Sequence, residues 1–143
     1  MSRFSFILGI LSLFSCDSDY NIVSYDLPME LREISGIEIW NDTIVAHNDS
    51  GNEPYLYFID ANYHIVKKVL LKAENKDWED ISVYEEKIYL GDFGNNHGVR
   101  EDLKVVRYNP KNAGINALNF AYNSQRTFDK DKRTPYDCES LFH

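Results

Sequence analysis

The chain repeats itself, and the repeat limits what it can fold into. HNDSGN fills positions 47–52 and GDFGNN positions 91–96, so Asp-x-Gly-Asn occurs as Asp49/Gly51/Asn52 and again as Asp92/Gly94/Asn95, 43 residues on. Two sets of short runs rich in Ile, Val and Tyr surround these motifs. The first set is ISGIEIW (34–40), TIVAH (43–47), YLYFID (55–60) and HIVKKVLL (64–71). The second is DISVYE (80–85), KIYLGDF (87–93), LKVVRY (103–108) and LNFAYN (118–123). Each run has the length of a strand, and Asn41-Asp42, Ser50-Gly51 and Asn62 punctuate the first set as turns. No window sustains a 3.6-residue period, so almost no helix is expected. Four strands recurring at about 40–50 residues mark β-propeller blades. The expected fold class is all-β: two blades of four antiparallel strands and the start of a third at YDCESLFH (136–143). There Asp137-Cys138-Glu139 matches Asp77-Trp78-Glu79 at 60 residues.

A blade buries both faces against its neighbours, and propellers close with about four to eight of them. Two blades would leave sheet faces and edge strands open. The sequence is therefore expected either to be a fragment of a longer propeller, inactive by itself, or to self-associate through open blade edges.

The opening MSRFSFILGILSLFSC carries one charge, Arg3, and then an apolar run of 11 residues from Phe4 to Phe14. A helix needs roughly 20 apolar residues to span a bilayer, so this run reads as a secretory signal. Leu13-Phe14-Ser15-Cys16 is similar to the lipobox of bacterial lipoproteins, which implies cleavage before Cys16 and its lipidation. The expected organisation is a signal peptide at 1–15, a lipidated Cys16 and polar tether at 16–30, and a partial propeller at 31–143. The corresponding location is the cell envelope, lipid-anchored or secreted, with the anchor as the sole contact with membrane. Without Arg3, 14 basic residues face 23 acidic ones. Such a chain is repelled by nucleic acid and by anionic lipid surfaces, but can attract divalent cations. With Cys16 lipidated, Cys138 is the remaining thiol, so no intrachain disulfide forms.

Asp-x-Gly-Asn has two readings. As turn chemistry, Asp accepts backbone hydrogen bonds, Gly supplies positive φ and Asn tolerates the left-handed region. As metal chemistry, the same oxygens suit Ca²⁺, a hard ion that takes about six to eight of them. Candidate ligands are Asp49, Asn52, Asp92 and Asn95, with Glu79 and Asp80 nearby in the repeat, although the spacing is not that of an EF-hand. In DWED (77–80), strand alternation would turn Asp77 and Glu79 one way and Trp78 and Asp80 the other. Glu33, Glu79 and Glu139, at successive blade starts, could ring the mouth of a central channel and raise one another's pKa or hold a cation. They could equally cap neighbouring amides. His47 and Arg100 are further candidates for that mouth, Arg100 also as an ion-pair partner of nearby Glu101 and Asp102. No HExxH or closely spaced His pair favours zinc, and no G-x-S-x-G context makes Ser35 or Ser50 a nucleophile.

Five stretches occur in one order: Glu33/Ser35/Gly36; His47 to Asn52; Asp77 to Asp80; Gly91 to Asn96 with Arg100; and Asp137/Glu139/Leu141. In this the chain, over residues 31–141, resembles a family of secreted bacterial propellers of six-bladed type, related to phytase-like and esterase-like propellers. The resemblance implies an extracytoplasmic propeller protein without an assigned reaction. Two functions follow as expectations. One is a binding or scaffold module with a calcium-binding role for its acidic turns. The other is a phytase-like or esterase-like hydrolase using Ca²⁺ clustered by carboxylates. The latter would want Lys or Arg beside the acids, whereas basic residues gather at 126–133, away from the motifs.

Overall fold

The structure is a computed structural model that describes residues 23–130 and 134–143. The proposed signal peptide and Cys16 lie outside the described residues. Strands β1 (Ile34–Trp40), β2 (Thr43–Asn48), β3 (Tyr55–Ile59) and β4 (Ile65–Leu70) form one antiparallel sheet in chain order. Strands β5 (Trp78–Tyr84), β6 (Lys87–Asp92), β7 (Lys104–Asn109) and β8 (Gly114–Asn119) form a second of the same design. The two are blades of a propeller-like, unclosed all-β fold, and the helical content described is one 3₁₀ turn, Met29–Leu31. No helix among the described residues is long and apolar enough to cross a membrane.

The hairpins show why these residues fold so. Trp40 pairs with Thr43 and Tyr84 with Lys87, leaving two-residue loops. Both loop residues have positive φ in each case, Asn41 and Asp42 in one, Glu85 and Glu86 in the other. That backbone matches the twist of the flanking strands, and the sheet imposes it on Glu-Glu as well as on Asn-Asp. Both innermost strands also start with a bulge, between Ile34 and Gly36 and between Trp78 and Asp80.

Ile34 pairs with Asn48 and Trp78 with Asp92, so the structural step between blades is 44 residues at this end. Asp92 is thus the counterpart of Asn48 rather than of Asp49. The 43-residue motif repeat is one residue out of phase with the sheets.

The core lies between the blades. Val45, Leu56 and Phe58 of the first pack with Trp78, Ile81, Ile88, Leu90, Val106 and Tyr108 of the second. Trp78 is fully buried, and its Nε1–H donates to the Glu74 carbonyl at 3.1 Å. Losing such a side chain costs about 3–5 kcal/mol. On the far side of the first blade, Leu31, Ala46, Tyr57 and Ile59 form a smaller cluster. The residues before it, read from sequence as tether, touch this sheet from Val23 onward: Tyr25 stacks on Tyr63 with ring centroids 4.2 Å apart.

Two segments differ from the sequence reading. The last strand runs from Gly114 to Asn119, not 118–123, because Asn109 pairs with Gly114 around a turn. In that turn Asn109 and Asn112 side chains accept the Lys111 and Gly114 amides. The aromatic residues Phe120 and Tyr122 lie beyond the strand and pack on Phe93 and Tyr136. Residues 136–143 hold no strand ladder. They are fixed instead by side chains: Asp80 Oδ2 accepts the Leu141 amide at 2.7 Å, and Asp137 Oδ1 accepts the Asn95 amide at 2.6 Å.

Candidate metal centre

Three segments bring acids to one end of the innermost strands. The bulge at the start of β5 leaves Trp78 in the core while Asp77 and Glu79 share the opposite side, both against the Cα of Gly94. The Asp77 backbone is fixed from behind, its amide donating to Asp92 Oδ1 at 3.1 Å. Asp49 follows β2 directly, and its amide donates to the Glu33 carbonyl at 2.9 Å. One carboxylate oxygen from each of Asp49, Asp77 and Glu79 lies within 4.8 Å of the others. Three such oxygens could hold a metal ion.

The charges are poorly compensated. Burial, followed by the charges of Glu139, Asp77 and Asp49, pushes Glu79 up to about 8. Burial and the neighbouring Asp137 raise Glu139, which shares a side-chain hydrogen bond with Glu79. Burial also raises Asp77, aided by Asp49 and Asp137 and opposed by a hydrogen bond from Ser50 and the charge of Arg100. Crowded carboxylates of this kind ease their repulsion by holding a proton or a cation.

Of the residues singled out from sequence, Asp49 and Glu79 belong to this cluster. Asp92 is fully buried and committed elsewhere: it pairs with Arg100 at 2.9 Å and Lys104 at 3.0 Å. Arg100 donates further to the Gly94 carbonyl at 3.0 Å and to Asp102 Oδ1 at 3.2 Å. It therefore serves as the knot of the 92–102 loop. Asn95 ties that loop to the C-terminal segment, donating from its side chain to the Tyr136 carbonyl and accepting the Arg100 amide. Asn52 presents its amide nitrogen to Glu33 Oε2 at 2.8 Å and to the Asp49 carbonyl at 3.2 Å. Asp80 caps the Ile81 and Leu141 amides, and Glu33 sits near Arg32.

His47 lies in the interface between the blades, fully buried, 3.2 Å from Ser35 Oγ and edge-on to Trp78. Burial lowers its pKa, so the ring is held neutral. Gly36 is required here, because a Cβ would overlap the imidazole.

Asp77 was absent from the ligand set read from sequence. The signal was present, since alternation puts it on the side of Glu79. The second Asp-x-Gly-Asn points to Asp92 instead, whose neighbour in space is Arg100. In comparison with known proteins, no family model matches the chain and no curated protein is significantly similar to it.

Proposed function

We propose that the protein is an extracytoplasmic, lipid-anchored binding module of propeller type whose Asp49/Asp77/Glu79 cluster takes Ca²⁺. The carrying observation is the approach of those three carboxylate oxygens to within 4.8 Å of one another. A hard, oxygen-seeking ion is the ligand for an all-carboxylate set without His or Cys. Ser50 and the Asp49 turn keep two of the acids in place. The resemblance in motif order to secreted bacterial propellers supports the same reading, as do the short apolar opening and the Leu13-Phe14-Ser15-Cys16 stretch.

A binding role is favoured over hydrolysis of a phosphoester by the state of Arg100. Its charge acts on Asp77, and its guanidinium is already committed to Asp92, Asp102 and the Gly94 carbonyl. A bound phosphate would need a free donor beside the metal. Thermal unfolding of the chain with and without millimolar Ca²⁺ tests the proposal, since a ligand of the folded state raises its stability. A rise that disappears in Asp77→Asn supports it. An unchanged midpoint contradicts it.

A further inference from the structure

Two segments at one end of the second blade enclose a cleft of about 390 Å³. One wall is the stretch 100–103, just before β7, and the other is 120–128, just after β8. The Phe120 amide donates to the Leu103 carbonyl at 2.9 Å, continuing the strand pairing into the cleft. Leu103, which is buried, and the rings of Phe120, Tyr122 and Phe128 give it an apolar lining. Phe120 and Tyr122 are held in place by ring contacts with Phe93 and Tyr136. Three polar side chains complete the lining and have no other task. Glu101 on one wall and Arg126 on the other are exposed, and among the described residues neither side chain forms an ion pair or a hydrogen bond. Gln125 is only 8% exposed; its Nε2 donates to the Gly98 carbonyl at 2.8 Å, while its Oε1 accepts no hydrogen bond.

Opposite unpaired charges on the two walls, a free acceptor and an aromatic lining define one ligand chemistry. We propose that the cleft binds a small zwitterion with an apolar side chain, of the class of the free hydrophobic amino acids. Its carboxylate goes to Arg126, whose guanidinium suits a planar partner with two oxygens. Its ammonium goes to Glu101 and the Gln125 amide oxygen, and its side chain lies against Leu103 and the rings. A phosphate or dicarboxylate would meet Glu101 as a like charge, and a simple cation would meet Arg126. The volume is near the lower end of the roughly 300–1,000 Å³ of small-molecule sites, which favours a single amino acid over a longer peptide. The Gln125 bond to Gly98 and the fixed rings form the cleft before a ligand arrives, which lowers the cost of binding. None of Asp49, Asp77 and Glu79 lines it, so the inference stands apart from the calcium cluster.

Isothermal titration of the full chain with L-phenylalanine, in the presence of a chelator, tests this. The wild type should bind it saturably. Arg126→Gln and Glu101→Gln, both at exposed positions, should each weaken binding about tenfold, the worth of one hydrogen bond between charged groups. Unchanged thermal unfolding confirms that each variant is folded. Phenylalanine amide, which lacks the carboxylate, should bind Arg126→Gln as well as it binds the wild type. N-acetyl-phenylalanine, which lacks the ammonium, should likewise not distinguish Glu101→Gln from the wild type. No saturable binding of either phenylalanine or leucine at millimolar concentration would overturn the proposal, as would phenylalanine binding that neither variant weakens. Equal affinity for phenylalanine and its two blocked forms would overturn it too, by showing an apolar pocket without recognition of charge.

Discussion

Gly94 faces Glu79 so closely that a Cβ at position 94 would overlap Glu79 Oε1, and Asp77 Oδ2 beside it. Both are the far ends of flexible side chains and can swing away. Gly94→Ala is thus expected to leave metal-free stability nearly unchanged while scattering the carboxylates. Thermal unfolding should show a midpoint near that of the wild type without Ca²⁺ and little response when Ca²⁺ is added. A full Ca²⁺ response in this variant would mean that the cluster is not the ligand set.

Gly36 presents the opposite case. Its missing Cβ makes room for the His47 ring, which is fully buried between the blades and cannot retreat into solvent. Gly36→Ala should destabilise the fold by about 1–3 kcal/mol, the usual cost of overpacking a core. Urea unfolding checks this, and a midpoint equal to the wild type would show that the ring has somewhere to go.

The pair Asp92–Arg100 supports the loop that carries Gly94. Arg100→Ala leaves fully buried Asp92 with Lys104 as its remaining charge partner. Leaving a buried charge with no partner costs about 3–5 kcal/mol, and with Lys104 still in place the loss should fall below that range. Arg100→Lys should recover only part of it, since an ammonium cannot reach Asp92, Asp102 and the Gly94 carbonyl together. Equilibrium unfolding of the two variants gives the comparison, and an Arg100→Lys protein as stable as the wild type would refute the multidentate role.

Glu79 predicts a pH dependence of definite sign. In the folded chain it holds its proton up to about pH 8, whereas the ordinary glutamate value is 4.5. Its contribution to stability is therefore fully present below pH 4.5 and is lost as pH rises towards 8, because the folded state binds the proton more tightly. Glu79→Gln should flatten this decline in metal-free protein. A decline of the same slope in Glu79→Gln would assign it to other groups. Through the same window Ca²⁺ competes with the proton, so its affinity should rise with pH.

The blades were legible in the sequence because their signals are local. Strand-length Ile, Val and Tyr runs with turn residues between them place β1 and β3 to within a residue. The strand at 114–119 was not, because it is an outer strand with polar, exposed positions, while nearby Phe120 and Tyr122 mimic a strand and pack elsewhere. In the candidate site, Asp49 and Glu79 could be named from motifs. The role of Asp92 could not, since Asp-x-Gly-Asn looks alike in both blades while the sheets step by 44 residues. That single-residue phase difference sends one Asp towards Asp77 and Glu79 and the other towards Arg100 and Lys104.

The most direct test of the calcium proposal is isothermal titration of the full chain with Ca²⁺ at pH 6, repeated with Asp77→Asn and Glu79→Gln. Saturable binding of one ion per chain, accompanied by release of a proton, is expected for the wild type, with loss of that binding in both variants. Absence of saturable binding by the wild type, or binding that both variants retain, would contradict it.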